Sequence, residues 1–435
     1  MPMTPAPLRR RSAPAAAGPG QHLQADAVLT GEGDVHDHVR GICFKTGPPG
    51  TVGAELEWLV VDPTHPARAV ALPRLQRLLA GPMPGGSLVT FEPAGQVELS
   101  SRPAPDVMTC VADLQRDVAH LLAVLASDGL TVVPAATDPH PRRPRQLDRP
   151  RYAAMEAYFD ALGHDLGRTM MRSTTAVQVS LDAGADEADV AARWRLLHTV
   201  GPTLVAAFAN SPRLGGRATG AVSTRQRVWR GLDPARTHAP TPNGDPAAAY
   251  AEFVLDAPLM FTGEGCRPHP GGTLRDWVSG RLPHLDPPTT ADLQRHLTTL
   301  FPPVRARGWF EVRYLDALPP QWWPVPVTVL ATLLERPRAA AAAEHACAPV
   351  ADAWDRAAHL GPRDKALARA AGALFDAVEA ELPAVTGDPA LARLVADYRQ
   401  TYVDRRRCPA DDPAFHDSPL VHGPDATTPA RQETA

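Results

Sequence analysis

Thr51-Val-Gly-Ala-Glu-Leu-Glu-Trp-Leu-Val-Val61 decides the fold class. In a β-strand, side chains two residues apart share a face. Glu55 and Glu57 therefore project together, flanked by Val52, Leu56, Trp58 and Leu59. Two carboxylates side by side on an apolar strand repel each other and call for a cation between them. A hard divalent ion with oxygen ligands, Mg²⁺ above all, meets that need. The plain alternative is a solvated strand face.

Two further segments carry the same signature. Phe91-Glu-Pro-Ala-Gly-Gln-Val-Glu-Leu-Ser-Ser101 adds Glu92 and Glu98 around a Pro-Ala-Gly turn, with Val97 and Leu99 alternating against Glu98. Trp309-Phe-Glu-Val-Arg-Tyr314 puts Glu311 and Arg313 on one face, Phe310 and Val312 on the other. Carboxylates on apolar strands in three distant segments imply one sheet that gathers them around a polyvalent site.

The chain has 435 residues, 44% hydrophobic and 21% charged, ordinary for a globular protein large enough for two subdomains. A net charge of −4 gives no basic field for nucleic acid. All but two of the 44 basic residues are arginine; Lys45 and Lys365 are the only lysines. Phosphate binding thus falls to arginine. Five scattered cysteines without C-x-x-C spacing argue against structural zinc and a disulfide framework, and fit a reduced cytoplasmic setting. No membrane span is expected, and Arg9-Arg10-Arg11 runs into Pro, Ala and Gly, not an export signal.

Residues 1–22 and 409–435 read as disordered tails around a single 23–408 unit. Its expected helices are 22–44 (capped by Thr30 or Asp34), 106–128, 151–162 and 186–210. From about 326 it turns helical: 326–347, 349–360, 363–382 and 389–405. Residues 129–134 read as a strand, and so does 170–181, with Arg172, Thr174, Ala176, Gln178 and Ser180 on one face. The stretches 212–247 and 262–290 read as loops. Strands first and helices last give an α+β protein.

Chemistry-bearing residues cluster elsewhere too. Arg225, Arg227, Arg230 and Arg236 surround Trp229, dense enough to bind phosphate or carboxylate; a solvated loop is the alternative. Gln178 offers an amide oxygen to a metal or a hydrogen bond to a neighbour. Gly47-Pro-Pro-Gly-Thr51 lacks the Gly-Lys-Ser/Thr ending of a phosphate loop, so any nucleotide must be held through metal and arginine.

In order, GAELEW (53–58), FEPAGQVELSS (91–101), RYAAMEAYF (151–159), MMRSTTAVQVSLD (170–182), ANSP (209–212), STRQRVWRGLDPAR (223–236) and HLTTLFPPVRARGWFEVRYLDALP (296–319) form a set. It resembles the ATP-dependent glutamate–cysteine ligases of bacteria and plants, over roughly 35–405. It is most similar to the branch that makes γ-glutamylcysteine for ergothioneine in high-GC bacteria.

The resemblance implies a curved, mostly antiparallel sheet backed by helices, related to glutamine synthetase and the guanidino kinases. It implies two or more Mg²⁺ ions at Glu55, Glu57, Glu92, Glu98 and Glu311, bridging the phosphates of ATP. Gln178 stands where other branches place a metal-binding His. Arg172 and Arg313 would hold the glutamate carboxylates or the transferring phosphoryl group. Arg225, Arg227, Trp229, Thr174 and Arg305 would line the substrate or nucleotide side. Ala94 replaces a Gly common in relatives; Gly95 remains. Two other readings stay open: a ligase of the same fold with another amine acceptor, and a non-catalytic ligand-binding relative. The implied partners are small molecules, with no reading of oligomeric state.

Overall fold

The period-two pattern of the opening segment folds as read. The computed structural model describes residues 27–240, 243–269 and 271–416. Strand β1, Val52–Trp58, buries Val52, Ala54, Leu56 and Trp58 and leaves Glu55 and Glu57 on its other face. Five more strands join it: β2 Leu88–Phe91, β3 Val97–Ser100, β4 Ala176–Asp182, β5 Val304–Ala306 and β6 Trp309–Asp316. Their spatial order is β5-β6-β4-β1-β3-β2. Every pairing among them is antiparallel. The chain is thus α+β around an antiparallel sheet.

The register sorts the two faces. Leu56 lies opposite Leu99 and Val177, Ala54 opposite Val179, and Val179 opposite Val312. Directly opposed residues point to the same side, so the aliphatic side chains form one continuous surface. Helices cover it. Val107–Ser127 packs on β1, Gly201–Ala207 on β6, and Pro324–Glu335 on β4 and on Val107–Ser127. Val107–Ser127 is amphipathic as expected, and Asp106 caps it by accepting from the Thr109 N–H at 2.7 Å.

Several expectations change. The strand expected over 170–181 begins only at Ala176. Leu166–Ser173 is a helix whose last residues break at extended Thr174. Met170 and Met171 pack with Met155, Phe159, Val228 and Leu232, a helical contact that the alternation concealed. Gly167 permits it: a Cβ there would sit 2.2 Å from the Phe159 Cβ. The long helices expected over 186–210 and 326–347 are each split, at Gly201-Pro202 and Arg336-Pro337. Proline lacks the N–H and restricts the residue before it.

The loops expected over 212–247 and 262–290 carry helices Thr224–Leu232, Pro234–Thr237 and Leu274–Val278. Their apolar positions are few, and caps define them instead: Ser223 accepts from Gln226, and Thr273 and Asp276 form a capping box. The first helix is shorter than expected, Glu32–His38 plus a π turn Val39–Cys43, and Thr30 donates to Asp34. The tail expected from 409 is folded over its first described residues, 409–416. Pro409–Asp411 and Pro413–His416 are helical turns, and the Ala410 N–H donates to the Ala209 carbonyl at 2.9 Å. The 1–22 tail lies outside the described residues. No helix among the described residues is long and apolar enough to cross a membrane.

Candidate active site

The face opposite the core is where the sequence's carboxylates meet. Glu55 lies opposite Gln178 and Ser100, Glu57 opposite Glu98, and Glu98 opposite Thr90. On the far side Glu311 lies opposite Ser180 and Arg305. A register shift between Val312 and Leu315 marks a bulge in β6. Arg313, inside that bulge, turns onto the same face and bonds Glu311 at 2.8 Å and the Gln178 Oε1.

Glu311 is caged by cations. Arg305 donates to it twice, at 2.7 and 3.1 Å, and Arg307 once at 3.3 Å, beside Arg313. Burial works against its charge, but Arg305 and Arg313 outweigh it and hold the carboxyl well below the usual range. Glu98 accepts from Thr90 at 2.6 Å and Ser100 at 3.0 Å. Gln178 donates to Glu57 at 2.9 Å and accepts from Arg313. Its amide thus bridges the acidic and basic halves of the face, with both ends engaged by protein rather than free for a metal.

Glu55, Glu57 and Glu92 behave oppositely to Glu311. Burial, then Glu311 and Glu98, pushes Glu55 up to about 7. Burial and Glu98 push Glu92 up to about 7. Glu57 is raised well above the usual range by burial, then Glu92 and Glu98. Glu92 sits on the turn between β2 and β3, where Gly95 adopts φ 89°. Two glutamines that sequence reasoning passed over clamp that turn. Gln96 accepts from Ala94 N at 3.0 Å and donates to the carbonyls of Met171 and Thr174, both at 3.2 Å. Gln146 donates to the Ala94 carbonyl at 2.9 Å. A lone glutamine within a turn motif was the only signal.

The helix Thr224–Leu232 brings Arg225 and Trp229 to the end of the face. Arg225 is 3% exposed, and its Nη2 donates to the Arg313 carbonyl at 2.8 Å. Among the described residues its Nε and Nη1, and the Trp229 Nε1, have no hydrogen-bond partner. Both guanidinium groups lie near the indole, Arg225 at 5.8 Å and Arg313 at 5.9 Å from the ring centroid. Buried N–H donors without acceptors suit an anion. Asp316 anchors this corner by accepting from Asn210 N, Ser211 and Ser223 at 2.7–2.9 Å; its role was not readable in sequence.

Three expected residues stand apart. Arg172, on a helix rather than a strand, is bound to Glu156 at 2.6 and 2.9 Å. Arg313, then Arg151 and Arg149, and not Arg172, partly offset the rise at the Glu92 carboxyl. Thr174 turns its hydroxyl back to the Met170 carbonyl at 2.6 Å. Arg227, two residues from Arg225 on a helix, is exposed on the other side.

Among the described residues no three carboxylate, imidazole or thiol groups converge tightly enough to hold an ion as they stand. The donor chemistry nevertheless fits a hard cation. Glu55, Glu57, Glu92 and Glu98 supply only oxygen; burial and then mutual repulsion raise three of them, and a divalent ion would relieve that repulsion.

Residues 51–412 match the family described as glutamate-cysteine ligase family 2 (GCS2). The chain belongs to that family. It is a ligase, as the sequence resemblance implied. Relatives described as glutamate–cysteine ligase EgtA come from Mycobacterium tuberculosis, 42% identical over 414 residues, 92% of this chain and 93% of that one, and from Mycolicibacterium smegmatis, 42% identical over 396 residues, 89% and 91%. The chloroplastic glutamate–cysteine ligase of Arabidopsis thaliana is 32% identical over 247 residues, 54% of this chain and 46% of that one. A glutamate–cysteine ligase from Francisella tularensis, solved with AMP, is distant: TM-score 0.48, 14% identity, 84% of each chain covered.

The raised carboxyls fix a pH dependence for this ligase. A free Glu titrates near 4.3. Groups raised to about 7, Glu55 and Glu92, bind extra protons in the folded state between those values. Their contribution to stability is full below about 4 and is lost as pH rises through about 7. Metal-free enzyme should therefore melt at a lower temperature at pH 8 than a variant with both residues changed to Gln. Mg²⁺ should raise the wild-type melting temperature more at pH 8 than at pH 6. Differential scanning fluorimetry with chelator and with MgCl₂ checks both; an equal Mg²⁺ shift at the two pH values would disprove the assignment.

Proposed function

We propose that the enzyme joins the γ-carboxylate of L-glutamate to the amine of L-cysteine, converting ATP to ADP and phosphate. The observation that carries this reading is the single sheet face on which repelling carboxylates, Glu55, Glu57, Glu92 and Glu98, adjoin the Arg305–Glu311–Arg313 cage. A carboxylate acylates poorly because oxide is a poor leaving group. The γ-phosphoryl group of ATP passes to the glutamate side-chain oxygen and ADP departs. The cysteine amine then attacks the acyl phosphate carbon, loses a proton, and phosphate leaves with the C–O bond electrons. No protein nucleophile is required.

Two or more Mg²⁺ ions, held by Glu55, Glu57, Glu92 and Glu98, would neutralise phosphate oxygens in both steps. The chain's own residues orient the reactants. Arg225 and Trp229 direct buried N–H groups at a substrate carboxylate. Arg313, tied to Gln178 and Glu311, stands between that pocket and the carboxylates, where a transferring phosphoryl group gathers charge. Glu311 serves first as the anchor of these arginines.

The finer likeness of the sheet to glutamine synthetase and the guanidino kinases, a cytoplasmic setting and a role in ergothioneine synthesis belong to the same reading. The identity to the mycobacterial EgtA proteins over most of both chains supports the last. A non-catalytic relative would have no reason to keep repelling carboxylates buried on one face. ADP release at saturating Mg²⁺ should require glutamate and cysteine together. Release driven by another amine and not by cysteine would move the reading to a different acceptor.

A further inference from the structure

The segment ANSP (209–212) offers little that a substrate could reach, since Ala209, Asn210 and Ser211 are each 1% exposed or less. Its polar groups act through their neighbours. Toward helix Thr224–Leu232, the Ser211 N–H donates to the Val222 carbonyl at 3.0 Å and the Thr224 N–H to the Ser211 carbonyl at 2.9 Å. The Arg225 N–H donates to the Ser211 Oγ at 3.1 Å. The same strip also carries the C-terminal segment. Cys408 and Ala410 pack on Ala209 and Val222, and the His416 Nε2 lies 3.0 Å from the Asn210 Oδ1.

The direction of that last bond is fixed. The Asn210 Nδ2 meets two carbonyls, Pro134 at 2.9 Å and Ala317 at 2.7 Å, and carbonyls only accept. The Asn210 Oδ1 is therefore the atom that faces His416, and the imidazole donates to it. Asp316, at the end of β6, links this strip to Arg225. It accepts from the Asn210 N–H, Ser211 and Ser223, and its Oδ1 lies 3.9 Å from the Arg225 Nη1. Burial works against the charge of Arg225, and Asp316, ahead of Glu57, supports it. Because Nε and Nη1 have no hydrogen-bond partner among the described residues, Asp316 holds this end of the guanidinium by charge. The position of Asp316 thus decides where those N–H groups point.

We propose that the C-terminal segment Pro409–His416 is a positioning strut for Arg225. His416 fixes Asn210, Asn210 and Ser211 fix Asp316, and Asp316 aims the guanidinium at the substrate carboxylate. This inference rests on the ligase reading above. It goes further by making the affinity for one amino acid depend on a buried imidazole far along the chain. It also gives the ANSP segment a task in the reaction that none of its side chains performs directly. A strip held on both sides transmits a shift at His416 to Arg225, whereas a strip held only by helix Thr224–Leu232 would not.

Titration calorimetry on the full-length enzyme, with L-glutamate and with L-cysteine in reductant, tests this. Arg225→Lys should weaken one of the two and so identify the amino acid whose carboxylate Arg225 takes. His416→Phe keeps a flat ring and removes the N–H. It should weaken the same amino acid by about two- to tenfold, the worth of one net hydrogen bond, and leave ADP binding within about twofold. His416→Ala, which forces no ring into the space, should show the same loss. His416→Gln keeps an N–H donor and should restore much of it. In the Arg225→Lys background His416→Phe should have no further effect, because its influence runs through that guanidinium. A lower melting temperature in His416→Phe and His416→Ala with unchanged amino-acid affinity would overturn the proposal and leave the ligase reading standing. So would equal weakening by His416→Phe with and without Arg225, or wild-type affinity for both amino acids in Arg225→Lys. A wild-type enzyme that binds neither glutamate nor cysteine would sink both.

Discussion

Glu57→Gln should yield an enzyme that is at least as stable as the wild type without metal, yet nearly inactive. Glu57 is the carboxyl most strongly disfavoured as an anion, through burial and then Glu92 and Glu98. At pH 8 the folded, metal-free protein must either protonate it or tolerate its repulsion. The unfolded chain does neither, so the group destabilises the fold under those conditions. Glutamine keeps the shape and can still accept from Gln178 Nε2, the existing 2.9 Å bond. Metal binding, however, loses one anionic oxygen donor. Turnover should fall at least about a hundredfold, the scale of losing one key electrostatic group. The checks are a melting curve in chelator at pH 8, the shift on adding MgCl₂, and kcat. A clear drop in melting temperature with normal turnover would show that Glu57 is a structural residue.

Much of this site was legible because strands impose a period of two. Alternation pairs Glu55 with Glu57 and Glu311 with Arg313 within their strands; the register sets Glu55, Glu57, Glu98 and Glu311 on one face, and hydrogen bonds bring Arg313 to it from the bulge. The same rule misled at Arg172 and Thr174. Met170 to Leu181 alternates well, but a helix over its first residues buries Met170 and Met171 equally well, and contacts with Phe159 decide between them. No local pattern carries that choice. Arg225 and Arg227 are equivalent in sequence and opposite in space, because the segment is a polar helix with too few apolar positions to mark it. The clamps on the Glu92 turn, Gln96 and Gln146, depend on hydrogen bonds to segments far along the chain. Side-chain partners of this kind leave no periodicity to read. The charge state was also hidden: identical residues, Glu55 and Glu311, shift in opposite directions because Arg305 and Arg313 hydrogen-bond Glu311, while at Glu55 burial and the neighbouring carboxylates outweigh the same two arginines.

That contrast sets the sign of the second large effect. Glu311→Gln should destabilise the protein strongly, the reverse of Glu57→Gln on the same face. Glu311 is 1% exposed and accepts from Arg305 at 2.7 and 3.1 Å and from Arg313 at 2.8 Å. Glutamine removes the negative charge and turns an N–H₂ toward guanidinium donors that need an acceptor. Two largely buried cations are then left without their counterion. Breaking a buried pair in this way costs about 3–5 kcal/mol. Because the wild-type carboxyl is held low, its contribution is present at all pH values above about 4 and is lost only as pH falls further into acid. The loss in Glu311→Gln should therefore be nearly constant from pH 6 to pH 8, whereas any gain in Glu57→Gln should grow over that window. Activity should also fall at least about a hundredfold, since Arg313 loses the partner that aims it. Denaturant midpoints at the two pH values measure this directly. A Glu311→Gln protein as stable as wild type, or stabilised with rising pH, would mean that the arginine cage does not hold this carboxylate.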